Sequence, residues 1–155
     1  WCRFAGRSFV VEVKGQNRCP RRRRTPMRFI MFMYPQLADE DWKPSVEAVE
    51  AMSRYNEELR KAGMLLSLDG LRPPSDGGTV SFAADGKTTI TDGPFAEAKE
   101  VVGGYWLIQA RSREDALEWA SRCPARGCAI EVRRVAEMDD FPEDVQEAVA
   151  ANESV

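Results

Sequence analysis

Residues Met27–Tyr34 read MRFIMFMY, a run in which apolar side chains occupy both the odd and the even positions. Successive side chains of a strand point to opposite faces, so this run predicts a strand that is covered on both sides. Residues Val101–Ala110 read VVGGYWLIQA and have the same character. Two such strands predict a sheet at the centre of the molecule.

The flanking segments predict two amphipathic helices, over about residues 44–62 and residues 112–122. Acids and Pro44 before the first helix, and Ser112-Arg113-Glu114-Asp115 at the second, are suited to helix starts. Gly63 is a suitable stop for the first. The predicted buried positions are Val49, Met52, Tyr55, Leu59 and Ala62 in the first helix, and Ala116, Leu117, Trp119 and Ala120 in the second.

Further strands are predicted at residues 64–68, 79–83, 87–91 and 128–135, and a short helix from Phe141. Ala84-Asp85-Gly86 between two β-rich runs predicts a hairpin. The order strand–helix–strand–hairpin–strand–helix–strand predicts an α+β fold. It is a ferredoxin-like split βαβ with an inserted β-hairpin, an antiparallel sheet and helices on one face.

Two helices can cover only one face of a four-stranded sheet. Phe32, Tyr34, Tyr105 and Leu107 nevertheless belong to strands that are apolar on both sides. A second copy of the chain, packed sheet to sheet, is the simplest cover for the other face. The pattern therefore predicts a homodimer, and Gly103-Gly104 fits a close approach of the two sheets.

Charge is distributed unevenly along the chain of 155 residues, whose net charge is −3. Residues 1–26 contain eight basic residues and one acid, whereas the remainder contains 14 basic and 24 acidic residues. An acidic body repels phosphates, so nucleic acid is an unlikely partner. No run reaches the roughly 20 apolar residues that cross a bilayer, which argues against a membrane partner.

Residues 1–26 lack sustained periodicity and end in four arginines followed by Thr25-Pro26. We interpret them as an N-terminal extension, disordered or non-native, outside the functional domain. A basic arm that contacts phosphates is the alternative. The expected domain covers residues 27–136, and residues 137–155 form a C-terminal helix and tail.

Histidine is absent from the chain, which excludes Ser-His-Asp and Cys-His catalysis. Cys123 and Cys128 are five residues apart, a spacing that is neither a CxxC redox pair nor a zinc motif. They are interpreted as reduced thiols of a cytoplasmic protein. No cofactor or metal is expected, and any acid–base chemistry would fall to Asp, Glu, Lys, Tyr or Cys.

The run Thr91–Glu100 reads TDGPFAEAKE and leads directly into the strand VVGGYWLI. Together with MRFIMFMY and the closing Ala129–Arg133 (AIEVR), it resembles the YCII-related family, in its DGPF-containing branch. The resemblance spans Met27 to about Val135. It implies a dimeric α+β barrel, in which the sheets of two ferredoxin-like subunits face each other. Relatives that look like enzymes use an acidic residue, often beside a histidine, and only Asp92 of such a dyad can be matched here.

Asp92 is accordingly the candidate catalytic base or ligand anchor. Asp-Gly-Pro is also ordinary turn chemistry, so a purely structural role stays open. The candidate ligand-binding residues are Tyr34, Phe95, Lys99 and Tyr105. Lys99 could neutralise an anionic ligand or lower the pKa of Asp92, whereas nearby carboxylates would raise that pKa.

Two functions are therefore in competition. The first is binding of a small polar or carbonyl-bearing metabolite in a dimer cleft near Asp92, with cofactor-free acid–base chemistry as an extension. The second is a non-catalytic regulatory or protein-interaction module associated with transcription, as the resemblance to sigma-factor-linked members of the branch implies. Whether the protein is an enzyme is left open.

Overall fold

The computed structural model describes residues 26–35, 43–92 and 101–152. Within these residues the chain forms six strands, three α-helices and two short 3₁₀ turns. The elements are β1 (Met27–Pro35), α1 (Val46–Lys61), β2 (Leu65–Gly70), β3 (Gly78–Phe82), β4 (Thr88–Asp92), β5 (Gly104–Ala110), α2 (Arg113–Ser121), β6 (Cys128–Arg134) and α3 (Glu143–Asn152). The predicted α+β fold and element order are confirmed. The predicted N-terminal extension falls, apart from Pro26, outside the described residues.

Four strands form an antiparallel sheet in the order β2-β5-β1-β6, so the two predicted central strands lie side by side in its middle. The hairpin β3-β4 forms a separate two-stranded sheet. This arrangement is compatible with a ferredoxin-like fold that carries an insertion.

The two faces of the four-stranded sheet are distinct. Phe29 and Met31 of β1 and Trp106 and Ile108 of β5 point to the side that holds the helices, and all four are buried. The alternate residues point to the opposite side, which we call the open face. It carries Ile30 and Phe32 of β1 and Tyr105 and Leu107 of β5, as the pairings Ile30–Leu107 and Phe32–Tyr105 require.

The core lies between the sheet and the helices α1 and α2. Leu59 is fully buried, and the ring of Tyr55 meets that of Trp106 edge to face, with 6.1 Å between centroids. The Tyr55 hydroxyl donates to the carbonyl of Trp119 at 2.9 Å and thereby links α1 to α2. Burial, as the main cause, raises the pKa of Tyr55, so this phenol is a permanent hydrogen-bond donor at neutral pH.

The helix ends follow local chemistry. Ser45 and Ser112 cap α1 and α2, accepting hydrogen bonds from the backbone N–H groups of Ala48 and Asp115. Gly63, at a φ of 68°, follows the end of α1.

Three helix residues that were predicted to be buried are exposed. Val49 and Ala62 are exposed because they lie near the two ends of α1, beyond the part that packs on the sheet. Leu117 is 37% exposed because Ala116, rather than Leu117, points into the core from α2.

The hairpin turn is confirmed at Ala83–Lys87. The N–H of Ala83 donates to the carbonyl of Lys87 at 2.9 Å, and Gly86 supplies the positive φ of 84°. Val80, Phe82 and Ile90 share one side of the hairpin, since Val80 pairs with Ile90. Phe82 is 80% exposed and Ile90 72% exposed, so this side is an uncovered apolar surface.

Gly104 has an explanation other than the predicted contact between two sheets. A Cβ at this position would lie 2.9 Å from the carbonyl oxygen of Asp69 and 3.4 Å from the Cα of Gly70. Gly104 also alternates with Tyr105, so it lies on the helix side. The close backbone approach that requires glycine is therefore that of β2 within the same chain.

Candidate functional site

The sequence named five candidate site residues, and the structure describes three of them. Tyr34 and Tyr105 belong to the central strands β1 and β5, and Asp92 is the last residue of β4. Phe95 and Lys99, together with the rest of the motif after Asp92, lie outside the described residues.

A single row of side chains crosses the open face over all four strands. Asp69 of β2 pairs with Tyr105 of β5, Tyr105 with Phe32 of β1, and Phe32 with Glu131 of β6. Residues paired across neighbouring strands point to the same face. The open face therefore presents two aromatic rings between two carboxylates. The spacing of neighbouring strands, taken three times from β2 to β6, separates these carboxylates by about 14 Å.

Each carboxylate of this row accepts a hydrogen bond from a tyrosine. The Tyr105 hydroxyl donates to Oδ2 of Asp69 at 2.8 Å, and the Tyr34 hydroxyl donates to Oε2 of Glu131 at 2.7 Å. These short bonds to charged acceptors fix the direction of both phenols. We refer to Tyr34–Glu131 and Tyr105–Asp69 as the two phenol–carboxylate pairs.

Among the described residues, one ion pair joins a cation to this row of side chains. This ion pair lies on β6, with Nε of Arg133 3.8 Å from Oε1 of Glu131, and both side chains are exposed. An exposed pair at this distance contributes little to stability. It does balance one of the two negative charges, so the row keeps a net negative character.

The two phenol–carboxylate pairs lie toward the same end of the sheet. Gly70, Gly104, Met33 and Ile130 are opposite one another there. Main-chain hydrogen bonds from Leu71 to Gly103 and from Gly103 to Met33, both of 2.8 Å, hold this end together. The chain leaves this end for the hairpin after Gly70.

Asp92 is attached to this end of the sheet through the hairpin. It pairs with Gly78 at the base of the hairpin, where its side chain is exposed. The chain reaches β5 again only through residues 93–103, so the base of the hairpin is tethered to the same end from both sides. Connectivity therefore ties the hairpin to this end of the sheet at Gly70 and Gly104, and no contact links Asp92 to the phenol–carboxylate pairs among the described residues.

The arrangement suits polar recognition rather than metal binding. No group of three or more Cys, Asp and Glu side chains within residues 26–35, 43–92 and 101–152 is placed to hold a metal ion. Asp69 and Glu131 are too far apart to chelate one cation. The phenols can donate to a carbonyl oxygen, the carboxylates can accept from N–H or O–H groups, and the rings can stack on a flat ligand.

Neither Asp69 nor Glu131 was predicted from the sequence to be a site residue. The predicted β2 stopped at Leu68, one residue before Asp69, whereas the strand continues to Gly70. Alternation beyond Leu68 would have placed Asp69 on the same face as Ser67. Its pairing with Tyr105, however, depends on a bulge between Leu65 and Ser67 that the sequence does not reveal.

Comparison with known proteins supports a family assignment. A family model described as the YCII-related domain matches residues 27–139, which begins at β1 and includes all six strands. A protein of Rhizobium meliloti (strain 1021), named as uncharacterized, is 36% identical over 69 residues, which are 44% of this chain and 55% of that protein. The chain spans about half the length of this relative. Since the family model covers most of the chain, the protein belongs to the YCII-related domain family.

Proposed function

We propose that the chain binds a small, neutral or cationic, carbonyl-bearing metabolite on the open face, in a cleft completed by a second copy. The observation that carries this proposal is the row of two phenol–carboxylate pairs around Phe32. Carboxylates and oriented phenols beside apolar side chains such as Ile30, Phe32 and Leu107 are convergent polar groups of the kind found in ligand sites. The net negative charge of the row disfavours polyanions such as nucleotides.

The proposed ligand contacts follow from the geometry. A flat ligand stacks on Phe32 and Tyr105, and its N–H or O–H groups donate to Asp69 or Glu131. Its carbonyl oxygen accepts from a phenol that turns away from its carboxylate. A carboxylate released in this way can also accept a proton from the ligand, which is the step by which the site would act as a cofactor-free acid–base catalyst.

The second copy is proposed from the apolar character of the open face. The helices α1 and α2 contribute to the core on the other side, so Ile30, Phe32 and Leu107 gain no cover from them. A sheet face with this composition is stabilised by burial against another surface. Pairing of two open faces would enclose four phenol–carboxylate pairs in one cleft.

A charged substitution at the centre of the open face tests whether two copies of the chain pair through this face. We expect Phe32→Lys to convert a dimer into a monomer in light scattering, because the ammonium would lose its hydration in the interface and the contact made by the Phe32 ring would be lost. The monomer should stay folded, since the lysine can lie beside Glu131, its cross-strand neighbour. Phe82→Lys, on the exposed side of the hairpin, is the matched control. It should leave the dimer intact, with the same mass of the assembly in light scattering. A wild-type chain that is monomeric at tens of micromolar would remove the second copy from the proposal.

We further propose that the chain belongs to the DGPF-containing branch of the family and that Asp92 is a ligand anchor at the edge of the cleft. Three features support this proposal. Its side chain is exposed, its strand is tethered to the same end of the sheet, and the rest of the motif precedes Val101 and β5 in the sequence.

Ligand-dependent stabilisation tests the site itself. A ligand at about 100 times its dissociation constant should stabilise the protein by roughly 2.7 kcal/mol in a thermal-shift screen of neutral carbonyl compounds and amines. We expect Tyr105→Phe to weaken binding about tenfold, because it removes one hydrogen bond and the group that orients Asp69. Asp92→Asn should also weaken binding.

Tyr55→Phe is the matched control for this experiment, since it removes the same hydroxyl on the opposite side of the sheet. It should lower stability and leave ligand affinity unchanged. Equal loss of affinity in Tyr105→Phe and Tyr55→Phe would show a general effect of weakened folding and contradict the proposed site.

A second candidate function, the protein-interaction module associated with transcription, is favoured by one observation. Val80, Phe82 and Ile90 form an exposed apolar surface on a hairpin that stands outside the main sheet. Such surfaces are typical of protein contacts. This function would be favoured if no compound in the screen stabilised the protein and if Asp92→Asn melted at a much lower temperature. The second result would mean that Asp92 serves to stabilise its turn.

A further inference from the structure

A cavity of about 340 Å³ lies between α2 and β6, on the helix side of the sheet. Leu117 and Ala120 of α2 and Ile130 of β6 form apolar walls. Cys123 and Cys128 bring two thiols to the same cavity. Since the open face lies on the other side of the sheet, this cavity is separate from the site proposed above.

The local backbone brings the two thiols together. Cys123 follows the C-terminal end of α2, where its N–H donates to the carbonyl of Ala120 at 3.1 Å, and Cys128 is the first residue of β6. Gly127, at a φ of 60°, turns the connecting loop back toward the cavity. Neither thiol forms a disulfide.

The surroundings keep both thiols protonated. Burial raises the pKa of Cys123 and of Cys128, and the proximity of Cys128 raises the pKa of Cys123 further. Arg122, which precedes Cys123 in the chain, is engaged elsewhere, since it stacks 3.9 Å above the ring of Trp119 and donates to Glu58 at 2.9 Å. Protonated thiols react slowly with oxidants and alkylating agents, so this pair differs from a redox motif.

We infer that Cys123 and Cys128 form a dithiol site that binds a soft, thiophilic centre carrying a small apolar group. Two thiols satisfy such a centre, whereas zinc requires four ligands and no cluster of three is present among the described residues. The cavity is far larger than a bare ion, and its apolar walls provide room for the substituent.

The binding step needs no oxidant. With a monosubstituted trivalent arsenical as the ligand, two arsenic–sulfur bonds form and the arsenic–oxygen double bond breaks. The oxygen leaves as water together with the two thiol protons, and neither arsenic nor sulfur changes its oxidation state. Because the protons leave with the water, the raised pKa values slow the reaction without preventing it.

Phenylarsine oxide is the probe for the test, with intact-mass spectrometry of the folded, full-length chain as the readout. The background variant Cys2→Ser/Cys19→Ser removes the two other thiols. We expect one phenylarsine group per chain in this background, and none after a further Cys123→Ser or Cys128→Ser substitution. An adduct that survives either further substitution would overturn the dithiol site, as would a background variant that takes up no arsenical.

Two comparisons separate the parts of the inference. Leu117→Ala should weaken phenylarsine binding severalfold, because it removes an apolar wall while both thiols remain. Monovalent copper, presented in competition with a chromogenic chelator, has no apolar group. If copper binds more tightly than phenylarsine oxide and Leu117→Ala has no effect, the site is a bare metal site and the role of the apolar walls is refuted. Circular dichroism verifies that each variant remains folded.

Discussion

Leu59→Ala is expected to lower the free energy of unfolding by about 3 kcal/mol. Leu59 has no exposed surface and lies where α1 meets the sheet, together with Tyr55 and Trp106. Alanine removes three carbon atoms and leaves a cavity that the β-sheet, being rigid, cannot fill. A loss of this size is a large fraction of the 5–15 kcal/mol that typically separates folded from unfolded domains. Urea unfolding at 25 °C, followed by tryptophan fluorescence, measures it.

Leu117→Ala is the matched control, since it makes the same change in a helix at a position that is 37% exposed. It should lower the free energy of unfolding by less than about 1 kcal/mol, because little apolar surface is lost and alanine favours the helix. Equal losses in the two variants would contradict the core described above, because they would mean that Leu117 is buried as deeply as Leu59.

Gly104→Ala is expected to cost about 2 kcal/mol, a large effect for a single methyl group. The new Cβ would lie 2.9 Å from the carbonyl oxygen of Asp69, which belongs to the main chain and cannot rotate away. The neighbouring strand β2 must therefore move. Asp69 would move with it, so the hydrogen bond from Tyr105 should weaken and ligand affinity should fall together with stability.

Gly70→Ala provides the control for Gly104→Ala. Gly70 is the residue paired with Gly104, yet a Cβ at Gly70 would meet no atom within 4 Å. This substitution should be neutral, or stabilising by a few tenths of a kcal/mol, because alanine reduces the freedom of the unfolded chain. If both variants lost the same stability, the loss in Gly104→Ala would be caused by a change in strand propensity and not by the contact of the new Cβ with Asp69.

The elements of the fold were predictable because they depend on local patterns. The double-sided apolar runs at Met27–Tyr34 and Val101–Ala110 predicted the two central strands, and Asp85-Gly86 predicted the hairpin. Each of these signals is contained within a few neighbouring residues. The exposed ends of α1 were not predicted, since the length of helix that packs on the sheet is set by the sheet and not by the helix.

The candidate site was predictable only in part. Tyr34 and Tyr105 stood out as polar atoms on apolar strands, but only the register of β1 with β5 places them on one face. Their partners Asp69 and Glu131 are 36 and 97 residues distant along the chain. No local pattern indicates which carboxylate a phenol meets across a strand boundary.

The sequence by itself therefore determined the strands, the helices, the hairpin and the presence of apolar side chains on both faces of the central sheet. These features follow from side-chain alternation and turn chemistry, which act over a few residues. Only the tertiary structure decided which groups meet. The order β2-β5-β1-β6 aligns Asp69, Tyr105, Phe32 and Glu131 in one row, and the packing of α2 on β6 brings Cys123 and Cys128 to one cavity. Both results depend on strand register and helix packing, which are fixed by the burial of the whole core rather than by any single segment.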